Sequence, residues 1–205
     1  MGFGILFFGY MTMLGVFPDL FVYHRYMIFI PIVTGLLIFA AFFKLRGYNI
    51  YLKLMMPITV VYILMLVGFV PFLIGEQTEE FLYTFLFVSK IIRTFVLFLF
   101  HYFMFKGIYT LAIDVGSLRI SRSAKSSLAF TYIYFGLSII GVFEFEVWYY
   151  IMMILLSVVY FMKNLGCIYH CFLQITYEGH DETMTAKREA KIAAKAKVKS
   201  EKENK

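Results

Sequence analysis

The chain has 205 residues, 61% of them apolar and only 16% charged, with 25 Phe and 16 Tyr; an ordinary soluble domain is about half apolar and about a quarter charged. A water-soluble core cannot absorb that excess, so a soluble globular domain is excluded. The formal net charge of +6 is concentrated in the C-terminal tail and in short connections between apolar runs, where it orients a membrane protein before it says anything about partners.

In chain order the apolar runs predict six transmembrane helices, at 2–17, 26–43, 54–74, 81–105, 128–146 and 147–168. Each has about the length needed to cross a hydrocarbon layer about 30 Å thick. The fold class is therefore all-α, a polytopic integral membrane helical bundle. The first run lacks a basic n-region and a small-residue cleavage site, so it is expected to persist as a helix and not to be removed as a signal peptide. Leu6 stands where a myristoylation motif needs Ser or Thr, so that anchor is not expected.

The breaks are chemical: Pro18-Asp19, then Lys44 to Asn49, then Gly75 to Glu80, then a longer stretch from Lys106 to Ser127, then Glu144 to Glu146. Each sets polar or turn-forming residues where backbone leaves the lipid. Pro31, Pro57 and Pro71 fall within the second and third spans, where proline kinks a helix and frees a carbonyl. No inverted repeat of the kind built into many transporters is visible.

Basic residues near span ends stay on the cytoplasmic side. Lys44, Arg46 and Lys53 flank the second connection; Lys106, Arg119, Arg122 and Lys125 flank the fourth; Lys163 and a Lys-rich tail follow the last span. The alternate connections carry Glu76, Glu79, Glu80, Glu144 and Glu146 with no Lys or Arg. The expected topology places both termini inside, with Arg25 and His24 the dissent. The polar stretch Gly107 to Ser127 is expected at the inner interface, against phosphate headgroups.

Two regions follow: a transmembrane domain over 1–177 and a basic, partly disordered cytoplasmic tail over 178–205. Lys187, Lys191, Lys195 and Lys199 repeat at a four-residue interval in that tail. A helix of like charges there would be favoured by an acidic surface, of which anionic lipid is the nearest and nucleic acid a distant second. The plainer reading is a solvated tail.

The most informative candidates lie in the fourth span, where Lys90 and Arg93 sit between runs of Phe, Leu, Ile and Val. Each costs about 2.5 to 3.5 kcal/mol at mid-membrane, against about 0.3 to 0.6 returned by each large apolar residue. The span inserts, but with a penalty that needs a reason. Tyr83, Lys90, Arg93, Leu97 and His101 fall close to one helical face. Tyr83, Lys90, Arg93 and His101 are thus the candidate ligand or headgroup-binding residues. Against this stands a structural reading: Lys90 snorkels to Glu144 or Glu146, and Arg93 caps carbonyls freed by a prolyl kink.

Cys167, His170 and Cys171 gather near the inner end of the last span. A zinc site there needs a further ligand, with His101 or His180 the candidates, and His101 with His170 is a conceivable haem pair. Packing is the preferred reading, with acylation of the thiols an unspecific alternative. No disulfide is expected from thiols four residues apart on one helix. Neither metal nor cofactor is expected.

There is no nucleotide-cradling glycine motif, no H-E-x-x-H, no G-x-S-x-G and no pair of intramembrane carboxylates. An enzyme is not expected. The leading expectation is a multi-pass plasma-membrane protein, prokaryotic by its short loops, that transports or handles a lipid or substrate through an anionic group. The alternative is a non-catalytic scaffold or sensor subunit whose tail recruits a cytoplasmic protein. Expected partners are the bilayer and anionic lipids at its inner face, with no specific nucleic acid.

Overall fold

The structure, a computed structural model, describes residues 2–12, 29–74, 79–140 and 147–177. Those residues form six helices: α1 (Gly2–Thr12), α2 (Phe29–Leu45), α3 (Ile50–Ile74), α4 (Glu79–Val115), α5 (Leu118–Ile140) and α6 (Val147–Cys171), the last continued by a π-helical turn over Phe172–Tyr177. The fold is all-α. Three helices carry segments long and apolar enough to cross a membrane, at Ile50–Gly68, Phe87–Val115 and Val147–Ile175, while the apolar stretches Gly2–Thr12 and Ile32–Leu45 are shorter.

Each helix packs on its neighbours in the chain, α3 on α4 across the undescribed 75–78, and α6 returns against α1, closing a ring. Contacts at one end fix the alternation of direction. Asn49 donates from Nδ2 to the Gly107 carbonyl at 2.8 Å, and Ser117 donates to Gln174 Oε1 at 2.9 Å. Gly2 lies against Leu45, and Gly4 against Phe172. The start of α1, the α2–α3 and α4–α5 connections and the end of α6 therefore share one end. Lys44, Arg46 and Lys53 flank the α2–α3 connection, Lys106 precedes the Gly107 that meets Asn49, and Arg119, Arg122 and Lys125 lie in the first turns of α5.

Local chemistry explains the tight turns there. Asn49 caps α3, its Oδ1 accepting from the Leu52 amide at 2.9 Å. The α4–α5 turn is closed by Gly116 at φ 79°, with Ser117 N–H bonded to the Ala112 carbonyl at 2.9 Å and Gly116 N–H to Ile113 at 3.1 Å. That is the paired bonding of a left-handed glycine stop. Ser117 then serves as the N-cap of α5, accepting from the Ile120 amide at 3.5 Å.

This turn changes one expectation. The stretch from Lys106 to Ser127 is helical except at Gly116 and Ser117, because the glycine stop, and not the first basic residue, decides where α4 ends. Proline likewise does not divide α3, which runs through Pro57 and Pro71. The Pro18-Asp19 break, His24, Arg25, the 75–78 connection, Glu144, Glu146 and the 178–205 tail lie outside the described residues.

The exterior of the bundle is apolar, and its largely apolar core includes a set of buried polar side chains. On α6 the buried face is Ser157, Tyr160, Phe161, Asn164, Cys167, Ile168 and Cys171, whereas Ile154, Leu155, Val158, Val159 and Met162 are exposed. Trp148, at the start of that helix, is 77% exposed. An apolar exterior around a partly polar interior is stable only where the surroundings are themselves apolar.

Close approach at the capped end depends on glycine. A Cβ at Gly107 would meet Leu52 side-chain carbons at 2.8 Å and Asn49 Oδ1 at 3.4 Å, whereas one at Gly68 would meet nothing within 4 Å. Gly107→Val is expected to destabilise the protein by about 1–3 kcal/mol through overpacking, and Gly68→Ala to leave it unchanged or slightly firmer. Thermal unfolding in nanodiscs compares the two; equal melting temperatures would refute the packing argument.

Candidate functional site

The interior of the ring is organised around hydrogen-bonding side chains from four helices. On α6 the buried residues Ser157, Tyr160, Asn164, Cys167 and Cys171 recur at steps of three and four, and on α5 so do Ile120, Ala124, Ser127, Thr131 and Phe135. That spacing keeps each set on one helical face.

His101 on α4 is the hub. Its Nδ1 lies 2.8 Å from the Leu97 carbonyl, which can only accept, so Nδ1 carries a proton. Nε2 is then the acceptor of a neutral imidazole, and the Tyr10 hydroxyl of α1 donates to it at 2.9 Å. The Tyr10 oxygen in turn accepts from Asn164 Nδ2 of α6 at 3.1 Å. The chain of donors runs Asn164 to Tyr10 to His101 to the α4 backbone. Aromatic rings enclose it: Phe161 stacks on Tyr10 at 5.1 Å, and Phe100, Phe135 and Tyr160 surround the imidazole at 5.3 to 5.6 Å between centroids.

A second pair lies beside the first. Thr131 donates to the Ser127 carbonyl at 2.8 Å, which leaves its oxygen to accept from Tyr160 at 2.9 Å. Among the described residues Asn164 Oδ1 and Ser127 Oγ are buried without a hydrogen-bond partner. Cys167 lies beside Cys171, Ser123 and Ser127. This arrangement can hold α1, α4, α5 and α6 in register. The only Asp and Glu among the described residues are Glu79, Glu80 and Asp114, all on α4. Asp114 is about 20 Å along the helix from His101 at 1.5 Å per residue, so among the described residues the cluster has no carboxylate to share a proton with.

The predicted residues separate into two places. His101 is 6% exposed and committed to Tyr10 and Leu97. Lys90 and Arg93 are half-buried farther toward the α4 N-terminus, Arg93 being about 12 Å along the axis from His101. Arg93 lies near enough to the buried Tyr62 of α3 to act on its phenol electrostatically. Phe87, Val88, Ile91, Ile92 and Phe95, which surround Lys90 in sequence, are 41% to 61% exposed. Among the described residues the Lys90 ammonium has no hydrogen bond and no ion pair. Tyr83 belongs to α4, but its side chain lies outside the described residues.

The thiol pair is free and buried. Among the described residues no three His, Cys, Asp or Glu side chains converge as a metal site would require. Both His101 nitrogens are occupied, so neither is open for haem. His170 is half-buried and touches only the ring of Tyr169 among the aromatic contacts; His180 lies outside the described residues.

Tyr10, Asn164, Thr131 and Tyr160 were not among the sequence candidates. The polar stripe on the last span was the available signal. Comparison with known protein families, curated proteins and solved structures finds no match to this chain.

Proposed function

We propose that the chain is a six-span, N-in and C-in protein of a prokaryotic plasma membrane that transports or handles a lipid or substrate, with Lys90 and Arg93 meeting its anionic group. The observation that carries the reading is the placement of Lys90 and Arg93, both half-buried on α4 amid the exposed Phe87, Val88, Ile91, Ile92 and Phe95. A cation in such surroundings is retained where it has an anion to meet. The gathering of seven basic residues at one end supports the orientation, because basic connections stay inside.

Native mass spectrometry of the protein extracted with its own lipid tests the reading. A co-purifying acidic molecule is expected on the wild type and its loss on Lys90→Leu; identical adducts on both would exclude Lys90 as its ligand. Orientation is tested with single cysteines at Thr78 and Ser121 in a background lacking Cys167 and Cys171. An impermeant label on intact cells is expected to reach Thr78 and spare Ser121, and the reverse pattern overturns the topology.

A further inference from the structure

At the capped end of the ring, the flank of the α5–α6 interface carries a second cationic arrangement. Lys163 of α6 donates from Nζ to Ser126 Oγ of α5 at 2.6 Å, and its ammonium stands 3.7 Å from the centroid of the Phe130 ring. One N–H of three is committed to Ser126, and because the Ser126 oxygen accepts, its own hydroxyl proton remains to donate. One and two turns toward the α5 N-terminus, on the Ser126 face, stand Arg122 and Arg119, both exposed. Neither α5 nor α6 contains an acidic residue.

The same flank has room and an apolar extension. Gly166, one turn beyond Lys163, has nothing within 4 Å of where a Cβ would stand. In the other direction, away from the capped end, lie Phe130 and the exposed Ile133 on α5 and Val159 on α6, at 54% and 55% exposure. Met162, beside Lys163, is 59% exposed. Cations and hydroxyls thus sit toward the end of the bundle, and the apolar surface continues from them toward its middle. That order is the order of a phospholipid, headgroup at the interface and chains within.

We propose that this flank is a binding site for one anionic phospholipid, its phosphate held by Lys163, Arg122 and the Ser126 hydroxyl, with an acyl chain along Phe130, Ile133 and Val159. The lysine is already aimed by Ser126 and Phe130, so little side-chain freedom is lost when the phosphate arrives. A free phosphate would use the cations but leave the apolar extension without purpose. The site is independent of Lys90 and Arg93, which lie on α4.

The test is native mass spectrometry of the full chain in detergent, titrated with phosphatidylglycerol, phosphatidylcholine or inorganic phosphate, with melting temperatures recorded for each variant. The wild type is expected to bind one phosphatidylglycerol in preference to phosphatidylcholine. Each basic residue near a membrane surface is worth about fivefold in affinity for anionic lipid. Arg122→Gln with Lys163→Gln should therefore weaken phosphatidylglycerol binding by about twenty-five-fold and leave phosphatidylcholine unaffected. Lys163→Arg, which keeps the charge, should bind like the wild type. Gly166→Leu, which keeps every charge and fills the open space, should weaken binding as well. A double variant that is folded and binds like the wild type would overturn the site, as would an unaffected Gly166→Leu variant. Full displacement of the lipid by millimolar inorganic phosphate would reassign it to a free anion. Should the glutamine pair fail to fold, Gly166→Leu and Lys163→Arg still decide the matter.

Discussion

Tyr10→Phe is expected to destabilise the bundle by about 2 kcal/mol or more, the larger loss of any single hydroxyl deletion in the interior, because two buried partners are stranded at once and each such group costs about 1–3 kcal/mol. Hydrogen bonds between membrane helices average only about 0.6 kcal/mol, since the inserted but unpacked helices also find partners, which places the expectation at the lower end. The removed hydroxyl leaves His101 Nε2 without a donor and Asn164 Nδ2 without an acceptor. Neither can turn to water, because His101 is 6% exposed and Asn164 is fully buried. Asn164→Leu should be milder. It removes a donor from Tyr10 but leaves the bond from Tyr10 to His101 intact, and it deletes an amide oxygen that has no partner among the described residues. Reversible unfolding of both variants in nanodiscs ranks them; a loss at Asn164 equal to or above that at Tyr10 would show that the amide, not the phenol, is the centre of the network.

How much of this was legible in the sequence depends on which interaction decided each feature. The last span was read closely, 147–168 against a helix of Val147–Cys171, because continuous apolar length is a property of the chain itself. The end of the fourth span was not. Lys106 looked like the point of exit, but a helix stops where its carbonyls find new donors, and those are supplied at Gly116 and Ser117. His101 stands out as an ionisable group in an apolar span, yet its side-chain partner, Tyr10, comes from α1, 91 residues away, and is itself held by Asn164 of α6. Helical periodicity sets His101 and Lys90 on one α4 face, and the rise per residue separates them in depth, but neither says that Tyr10 and the Leu97 carbonyl already occupy the imidazole. Asn164 and Tyr10 carry no such signal in the sequence, because a neutral polar residue in a span costs little to insert until its neighbours are known.

Lys90→Leu is expected to leave the bundle at least as stable as the wild type and to abolish retention of the acidic ligand. The expectation rests on the difference between an inserted cation and a paired one. Replacing a mid-span lysine by leucine relieves about 3 kcal/mol of apparent insertion cost, whereas removing one member of a buried ion pair commonly costs about 3–5 kcal/mol by stranding the other. The two mechanisms therefore differ in sign. Because the Lys90 ammonium has no hydrogen bond or ion pair among the described residues, nothing there is stranded when it goes. Arg93→Leu supplies the contrast: Arg93 is engaged in a side-chain or electrostatic interaction, so its removal should lower stability while Lys90→Leu does not. Thermal unfolding of both in lipid nanodiscs, with and without extracted native lipid, reads the outcome. Added lipid should raise the melting temperature of the wild type and fail to raise that of Lys90→Leu. If Lys90→Leu instead loses stability by as much as a broken pair would, with or without lipid, the ammonium is a structural partner and the ligand-binding proposal fails, since function retains a strained cation only where stability alone would discard it.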